Sequence, residues 1–367
     1  MKKQTSAASE AGLKGKNIID FTSKTIYVGI DVHKKDYQVA KLCDGLCLGN
    51  VRMNASAETL IKHLQTHYPG ADFKCVYESC AWGFNLQRKL TKAGMDCMVV
   101  HAADVATNDK ERKRKTDKVD ALKLAQSLAS GYLKAIHVPD EISQKQRSLM
   151  RYRSQLASDL TRTKNRLKGA LKFNDIAIPE QYDNGHWSKN FLEWIEQQGL
   201  NDPHLCDTLV LMVGHVRLLR QQLLETERAL RRLARNHYDE RIKLAMTVPG
   251  IGSTTAMLFV LEIGDINRFK NFDALNDFIG FCPDTADSGE TYRSRGMTTR
   301  RHKKLRSGFV EASWRAIRID PALLQTYQEL TKRMKGVHAI IRIARKLLRR
   351  LRTVLITGVP YQLGVTQ

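Results

Sequence analysis

The order of strand and helix patterns in the first third of the chain constrains the fold more than any other feature. Three β-rich segments come first, and Asp44-Gly45, a typical hairpin turn, separates the second from the third. Helical and strand patterns then alternate as helix, strand, helix, strand, helix. The predicted strands are Thr25 to Val32, Asp36 to Cys43, Cys47 to Asn54, Phe73 to Glu78 and Asp96 to His101. The predicted helices are Ser56 to Tyr68, Gly83 to Ala93 and about Asp117 to Ser130, with Ser56 as an N-cap.

This order predicts an α/β domain built on one mixed sheet with helices on its faces. Three hairpin-linked strands followed by alternating helices and strands are the order of a ribonuclease-H-like fold. Strands one and four are then neighbours, and the third helix lies across their ends. A basic loop, Lys110 to Lys118, leads into that helix.

Beyond residue 140 the patterns predict long helices. Glu141 to Phe173 carries an apolar face at helical spacing: Leu149, Tyr152, Leu156, Leu160, Leu167 and Leu171. A second helix starts near Pro203 with a nearly heptad seam, interrupted at Thr226: Leu205, Leu209, Met212, Val216, Leu219, Leu223, Leu230 and Leu233. Such a seam predicts coiled-coil packing, within the chain or with a second copy.

The C-terminal third begins with Pro249-Gly250-Ile251-Gly252, which is either the hairpin of a helix-hairpin-helix element that approaches a phosphate or a plain turn. Helices are predicted for Ser253 to Ile263, for Phe272 to Phe281 and from Phe309 to about Leu355, with a break near Asp320-Pro321. Cys282 to Arg306 is expected to be a polar loop. We predict a flexible tail (1–24), the α/β domain (25–140), a helical coiled-coil region (141–240), a mostly helical domain (241–355) and a second tail (356–367).

The charge balance indicates the kind of partner. The chain has 60 Lys and Arg against 38 Asp and Glu, a net charge of +22, and such a surplus points to nucleic acid or to an anionic membrane surface. No run of about 20 apolar residues exists to span a bilayer, and the first 24 residues lack the apolar core of a secretory signal. We therefore expect nucleic acid rather than a membrane as the partner.

The basic residues concentrate in three segments. The first segment lies on the predicted helix that begins at Glu141; the alternative is that this helix is a linker without DNA contact. The third segment is a basic amphipathic helix from Lys332 to Arg352. Helices of this type also bind membrane surfaces or calmodulin. The candidate nucleic-acid-binding residues are Arg151, Arg153, Arg162, Lys164 and Arg166 in the first segment, Arg293, Arg295, Arg300, Arg301, Lys303, Lys304 and Arg306 in the second, and Arg345 and Arg349 in the third.

The seven cysteines do not form a recognisable framework. Their number is odd and no C-x-x-C pair occurs, which argues against disulfides and fits a reducing cytoplasm. We interpret them as small core hydrophobes, with a zinc site as the alternative.

Four carboxylates are the first candidate for chemistry. Asp31 ends the first strand, Glu78 ends the fourth, and Asp117 and Asp120 are three residues apart, on one face of a helix. Converging acids without a basic partner repel one another, and a divalent cation relieves that repulsion. Hard oxygen ligands suit Mg²⁺ or Mn²⁺, which can act on a scissile phosphate.

A serine is the second candidate. Ser288, in Asp287-Ser288-Gly289, precedes the basic stretch from Arg293 to Arg306, which holds no acid. A serine can form a covalent phosphodiester if its proton is removed and the phosphate charge is neutralised. A lone Ser-Gly is otherwise a turn.

These residues, taken in order, resemble one family, the DEDD transposases of insertion sequence family 110, which are RNA-guided serine recombinases. The resemblance runs from about Thr25 to Arg352. Its motifs are GIDVHK at Gly29 to Lys34, Tyr77-Glu78, KTDKVDA at Lys115 to Ala121, VPGIG at Val248 to Gly252, FIGFCP at Phe278 to Pro283, Ser288-Gly289 and Leu305-Arg306.

The resemblance implies a function and its residues. The N-terminal domain is expected to be similar to the Holliday-junction resolvase RuvC, with Asp31, Glu78, Asp117 and Asp120 as its four acids, and Ser288 is expected to be the nucleophile. The implied partners are donor and target DNA, a structured non-coding guide RNA called the bridge RNA, and further copies of the chain in a dimer or tetramer with a composite site. The implied location is the cytoplasm of a prokaryotic cell, on the nucleoid when bound to DNA.

Two points leave alternatives open. Family members carry a Gly-Asn pair where this chain has Arg301-His302, which affects the expected loop geometry. The rival interpretations are a RuvC-like nuclease in which Ser288 is structural, and a nucleic-acid-binding protein with inactive acids.

Overall fold

The structure is a computed structural model that describes residues 20–105, 116–199, 202–288 and 291–363, with the backbone alone for 284–288 and 291–295. Most of the predicted N-terminal tail, part of the basic loop and the last four residues lie outside the described residues. The chain divides after Val138 into two compact units.

The N-terminal unit is a five-stranded sheet with helices. Its strands are β1 (Thr25–Val32), β2 (Asp36–Cys43), β3 (Leu46–Asn54), β4 (Asp72–Glu78) and β5 (Asp96–Val100). Its helices are α1 (Ala57–His67), α2 (Asn85–Lys92) and α3 (Asp117–Ala129). The predicted elements are confirmed to within two residues at each end, and Ser56 caps α1 by accepting a hydrogen bond from the backbone N of Thr59.

The strand order is β3-β2-β1-β4-β5, with β1, β2 and β3 antiparallel and β4 and β5 parallel to β1. Asp44, with a positive φ, and Gly45 form the tight turn between β2 and β3, as the hairpin signal predicts. The predicted mixed sheet, with strands one and four as neighbours, is therefore confirmed.

Helices cover both faces of this sheet. Leu60 and Leu64 of α1 and Leu86 and Leu90 of α2 pack with Val28 and its alternate neighbours on one face. On the other face α3 approaches β1 so closely that a Cβ at Gly29 would lie 2.0 Å from the carbonyl O of Ala121. Glycine is therefore required at position 29 for the helix to lie across this strand.

The C-terminal unit is mostly helical. Its helices are α4 (Glu141–Phe173), α5 (Lys189–Gln197), α6 (Pro203–His237), α7 (Asp239–Met246), α8 (Ser253–Ile263), α9 (Phe272–Ile279), α10 (Lys303–Ile319), α11 (Pro321–Thr331) and α12 (Gly336–Thr357). A two-stranded antiparallel hairpin, β6 (Pro283–Ser288) and β7 (Thr291–Met297), lies between α9 and α10.

The two long helices α4 and α6 pack against each other within the chain. Leu209, Val216 and Leu219 of the predicted seam are buried, but Val213 takes the buried position expected for Met212. Thr226 does not interrupt the seam, because it is buried there with its hydroxyl donating to the carbonyl O of Gln222 at 2.7 Å.

Other predictions for α4 and the turn after Val248 need adjustment. Tyr152 is exposed, so its place on the apolar face of α4 is wrong. Gly250 has a φ of +80°, and a Cβ there would lie 2.1 Å from the carbonyl O of Ala312 on α10. This close approach of two backbones supports a packing turn at Gly250.

The polar loop predicted for Cys282 to Arg306 is wrong, since β6, β7 and the start of α10 occupy it. Two strands that pair only with each other bury no face in a larger sheet, so no apolar alternation marks them. The helices α5 and α7 were also missed, because each is short enough to show only two turns of apolar spacing.

Cysteine burial follows the prediction in part. All seven thiols are free, and Cys43, Cys75 and Cys97 are buried in the N-terminal core. Cys47 and Cys80 are exposed, so the interpretation as core residues is wrong for them. None of the described helices is both long and apolar enough to cross a membrane.

Candidate metal centre and nucleic-acid surfaces

The carboxyl end of β1 brings two potential ligands together. Asp31 points to the face covered by α3, as does Gly29, because side chains alternate along a strand. His33 lies two residues further, and its Nε2 is 3.0 Å from Oδ2 of Asp31. The Asp31 side chain is 24% exposed, so the carboxylate is partly withdrawn from water but still reachable.

The start of α3 supplies the third ligand. Thr116 caps this helix by accepting a hydrogen bond from the backbone N of Val119, which places Asp117 and Asp120 in the first turn. Oδ1 of Asp117 is 3.6 Å from Nε2 of His33. Ligand atoms of Asp31, His33 and Asp117 all lie within 4.8 Å of one another.

The fourth acid of the prediction lies at the end of the adjacent strand. Tyr77 pairs with Ile30, so Glu78 follows on β4 as Asp31 follows on β1. Alternation puts Glu78 on the same face as Val76, which packs with Leu124 of α3. The register thus places Glu78 beside Asp31, although its carboxylate is not one of the three groups within 4.8 Å.

Electrostatics support a cation at this cluster. Burial raises the pKa of Asp31, the negative charges of Asp117 and Asp120 raise it further, and His33 opposes them. A divalent ion would relieve the repulsion among these acids. Two carboxylates and an imidazole, with two more carboxylates nearby, are a donor set that fits Mg²⁺ or, with the nitrogen ligand, Mn²⁺.

A hydrogen-bonded chain fixes the start of α3 relative to the sheet. Gln38, which is buried and pairs with Asp31 across β1 and β2, donates from Nε2 to Oδ1 of Asn50. Asn50 on β3 donates from Nδ2 to the carbonyl O of Lys118 at 2.8 Å. Because Lys118 follows Asp117, this chain fixes the helix turn that carries the acids.

Sequence reasoning did not select His33, Gln38 or Asn50. His33 lies in the quoted GIDVHK motif, and its i, i+2 spacing from Asp31 was the available signal. Gln38 and Asn50 gave no signal, because their role depends on strand register and on a helix more than 60 residues away.

Ser288 lies at a hairpin end in the C-terminal unit. It is the last residue of β6 and pairs with Thr291 of β7. The side chains of Ser288, Arg293 and Arg295 lie outside what the structure describes. The backbone alone places the serine beside the turn of the hairpin.

Several predicted basic residues on α4 already have partners in the fold. Arg151 donates to both carboxylate oxygens of the buried Glu262, at 2.8 and 2.9 Å. Arg153 pairs with Glu227 of α6 at 2.7 Å. Ion pairs within the C-terminal unit thus partly neutralise the charge of these two arginines.

The remaining predicted cations on α4 differ among themselves. Arg162 pairs with Asp159 one turn earlier. Lys164 lies 5.5 Å from the centre of the Trp187 ring, and burial lowers its pKa. Arg166 is exposed on the same helix.

The basic stretch that follows the hairpin is also divided between structural and exposed residues. Arg306 donates to the carbonyl O of Gly280 at 2.9 Å and of Thr298 at 3.0 Å, so it holds the base of the hairpin. Lys304 donates to the Ser158 hydroxyl at 3.0 Å. Among the members whose side chains the structure describes, Arg300, Arg301, Lys303 and Lys304 are exposed.

The Arg301-His302 pair, where the resemblance expects Gly-Asn, has a defined geometry. Nδ1 of His302 accepts a hydrogen bond from the backbone N of Leu305 and caps α10, while Nε2 lies 3.4 Å from Oε2 of Glu262. Burial raises the pKa of Glu262, but the hydrogen bonds from Arg151 and His302 outweigh this and lower it to about 2. His302 therefore anchors the start of α10.

An acid-bearing mixed-sheet domain, followed in the same chain by a basic helical unit, is typical of metal-dependent enzymes that act on nucleic acids. Comparison with known proteins agrees. Residues 28–174 match the family model DEDD_Tnp_IS110, described as a transposase, and residues 242–328 match the model of the transposase IS116/IS110/IS902 family.

Relatives of known name are also transposases. "Putative transposase y4qE" of Sinorhizobium fredii (strain NBRC 101917 / NGR234) is 26% identical over 313 residues, which cover 82% of this chain and 73% of that protein. The transposase for insertion sequence element IS1533 of Leptospira borgpetersenii is 26% identical over 266 residues, covering 71% and 75%. The transposase for IS1328 of Yersinia enterocolitica is 25% identical over 241 residues, covering 64% and 68%.

The two family models match in chain order and together span more than half of the chain. The chain therefore belongs to the IS116/IS110/IS902 family of transposases, enzymes of DNA transposition.

Proposed function

We propose that this transposase moves its element by breaking and rejoining DNA strands with two groups, the acids at the end of the β1–β4 pair and Ser288. The observation that carries the proposal is the convergence of Asp31, His33 and Asp117 within 4.8 Å, in a domain that matches the DEDD transposase model. The position of Glu78 in the register and of Asp120 in the helix supports the full set of four acids.

In this proposal the acids hold Mg²⁺ or Mn²⁺. Such an ion supplies positive charge against a phosphate and stabilises the charge that develops during displacement. Asp31, His33 and Asp117 are the first ligands on the present geometry, and Asp120 adds negative charge beside them.

Ser288 is proposed as the nucleophile. Its Oγ forms a bond to phosphorus and loses its proton, while the bond from phosphorus to a DNA oxygen breaks and that oxygen leaves as a hydroxyl. The phosphodiester energy is kept in the serine ester, so rejoining by the reverse displacement requires no ATP. Support comes from the family motif and from the basic residues that follow Ser288 in the sequence.

The proposed partners follow from charge and from the family. The net charge of +22 fits binding of donor and target DNA. A structured non-coding guide RNA is proposed to select both DNA sites by base pairing, while the protein contacts backbone and helix shape. We also propose self-association into a dimer or tetramer.

The test replaces Asp31 by asparagine and keeps nucleic-acid binding as a separate readout. Asp31→Asn is expected to abolish recombination and to lower Mn²⁺ affinity at least tenfold, because the ligand charge is lost. DNA affinity in a gel-shift assay is expected to change little, because it depends on Lys and Arg. Asp44→Asn, at the exposed turn at the opposite end of the sheet, removes the same charge and is the control.

Recombination and Mn²⁺ binding that survive in Asp31→Asn would exclude the acid site from the reaction. The rival function is a RuvC-like nuclease, in which the ion activates water and Ser288 is structural. That rival is supported if Ser288→Ala still cuts DNA in the presence of Mg²⁺. A wild-type chain that binds DNA but neither cuts it nor binds Mn²⁺ would favour a nucleic-acid-binding protein with inactive acids.

A further inference from the structure

A cavity of about 490 Å³ lies in the C-terminal unit, among α9, α11 and α12. Its volume is within the range of sites that hold a nucleotide-sized group. Phe272 forms part of one wall, and residues of α11 and α12 form the others. The acid cluster and Ser288 are not among its lining residues.

Cations dominate the lining. Arg342, Arg345, Lys346 and Arg349 stand at i, i+3, i+4 and i+7 on α12 and therefore share one face of this helix. The stripe rises about 10 Å along the helix. Arg333, just beyond α11, adds a fifth cation.

Few acids balance these charges. Among the residues that line the cavity, Glu329 is the one with a carboxylate. Asp273 accepts a hydrogen bond from Arg345 at 3.1 Å. In the described part of the chain no carboxylate makes an ion pair with Arg333, Arg342 or Arg349. The cavity therefore presents uncompensated positive charge to an anion.

An aromatic ring accompanies the cations. The guanidinium of Arg349 lies 4.6 Å from the centre of the Phe272 ring, and that of Arg345 lies 5.7 Å from it. The ring holds both arginines in place through cation–π contacts and adds an apolar wall. Positive charge combined with an aromatic face is the composition of sites for single-stranded nucleic acid.

The apolar face of α12 excludes a membrane surface as the occupant. Ile340, Ile343, Leu347 and Leu351 are at most 1% exposed and belong to the core of the unit. An amphipathic helix that binds a membrane or a calmodulin-type groove inserts such a face. Here only the basic stripe of α12 is accessible to a partner, and its positive charge favours a polyanion.

We propose that this cavity binds the phosphodiester backbone of a single-stranded nucleic-acid segment, with Arg342 and Arg349 on phosphates and Phe272 against a sugar or base. The Phe272 ring favours a single strand, because the bases of a single strand are free to stack on an aromatic face. The proposal rests on the proposed function only in that the partner is a nucleic acid, and it adds a site separate from the acids and from Ser288.

The test measures binding of a fluorescent 20-nucleotide poly(dT) strand to the full chain across a series of salt concentrations. Each phosphate contact to a single strand contributes about 0.7 to the slope of log K against log salt. The double variant Arg342→Gln/Arg349→Gln is expected to lower the slope by about 1.4 and the affinity at 0.1 M salt about 20-fold. Phe272→Leu is expected to lower affinity about fivefold or more.

The matched control is Arg315→Gln/Arg318→Gln, which removes two exposed arginines of α10 outside the cavity. The control is expected to retain most of the affinity, and both double variants are expected to keep the wild-type unfolding temperature, since the replaced arginines are exposed. Equal losses in the two double variants would overturn the proposal, because they would show a general charge effect.

Further measurements distinguish a single strand from a mononucleotide and from a duplex as the ligand. Thymidine monophosphate at millimolar concentration is expected to compete weakly, whereas tight competition by the mononucleotide would show a small-molecule site instead. A duplex that loses as much affinity as the single strand in the cavity variant would overturn the choice of a single strand. Asp31→Asn is expected to bind poly(dT) like wild type, so failure of the acid-site chemistry leaves this readout intact.

Discussion

Replacing Gly29 by alanine is expected to displace α3 and with it the acids of the candidate metal centre. The added Cβ would lie 2.0 Å from the carbonyl O of Ala121 and 2.5 Å from the backbone N of Ala125. Ordinary contacts begin near 3.4 Å, so the helix must retreat by about 1.4 Å. Both close atoms are backbone, and no side-chain rotation can relieve the contact.

The expected magnitude follows from metal geometry. Asp117 lies in the first turn of α3 and moves with the helix, whereas Asp31 on β1 and His33 just after it stay with the sheet. Metal–ligand distances tolerate only about 0.2 Å. Mutation of a residue that only holds a metal ligand in place typically lowers metal affinity about 10–100-fold. Displacing the ligand Asp117 itself should lower Mn²⁺ affinity by at least as much. Overpacking should also lower the free energy of unfolding by about 1–3 kcal/mol.

The assays are Mn²⁺ titration by electron paramagnetic resonance and urea unfolding. Val28→Ala is the matched control, because Val28 is the neighbouring residue of β1 and enters the core on the opposite face. It should cost about 1–3 kcal/mol of stability and leave Mn²⁺ affinity near wild type. The reasoning is refuted if Gly29→Ala binds Mn²⁺ as tightly as Val28→Ala does.

Two further predictions concern single contacts. Asn50→Ala removes the hydrogen bond to the carbonyl O of Lys118, so it should cost about 1 kcal/mol of stability and lower Mn²⁺ affinity about tenfold; unchanged affinity would deny Asn50 a positioning role. The pKa of Glu262 is about 2 in the folded chain against an ordinary value of 4.5, so its ionised carboxylate stabilises the fold above pH 4.5. This stabilisation is lost as the pH falls toward 2. Wild type should therefore lose on the order of 3 kcal/mol relative to Glu262→Gln across that window, and a constant difference in urea unfolding between pH 5 and pH 3 would contradict it.

The sequence predicts the N-terminal unit well because its signals are local. β1 and β2 begin and end where their patterns do, and the Asp44-Gly45 turn sets the pairing of β2 with β3. Once the strand order is known, Asp31 and Asp117 must meet at the same end of the sheet. The acid cluster was therefore within reach of sequence reasoning.

The parts that were missed depend on distant contacts. His33 and Asn50 matter only through the register of the sheet and the position of α3. The sequence suggests that Arg151 is available to bind nucleic acid. Its partner Glu262, however, is 111 residues away and becomes buried only in the folded unit. The sequence of β6 and β7 shows no apolar alternation, so hydrophobic periodicity could not reveal the hairpin.

The basic cavity illustrates the same limit. The spacing of Arg345 and Arg349 predicts a shared helix face, but the spacing does not show that Phe272, more than 70 residues earlier, stands against them. The concave shape arises from three helices that meet in the C-terminal unit.

The most direct test of the proposed reaction is the identity of the peptide that becomes linked to DNA. Wild type, Asp31→Asn and Ser288→Ala would each be incubated with Mg²⁺, donor and target DNA and matching guide RNA, digested with protease and analysed by mass spectrometry. The account predicts a DNA-linked peptide containing Ser288 in wild type and none in either variant. Cleaved DNA without a linked peptide in wild type would contradict it. So would a peptide linked through Ser294 or Ser307, the serines that follow Ser288 in the sequence.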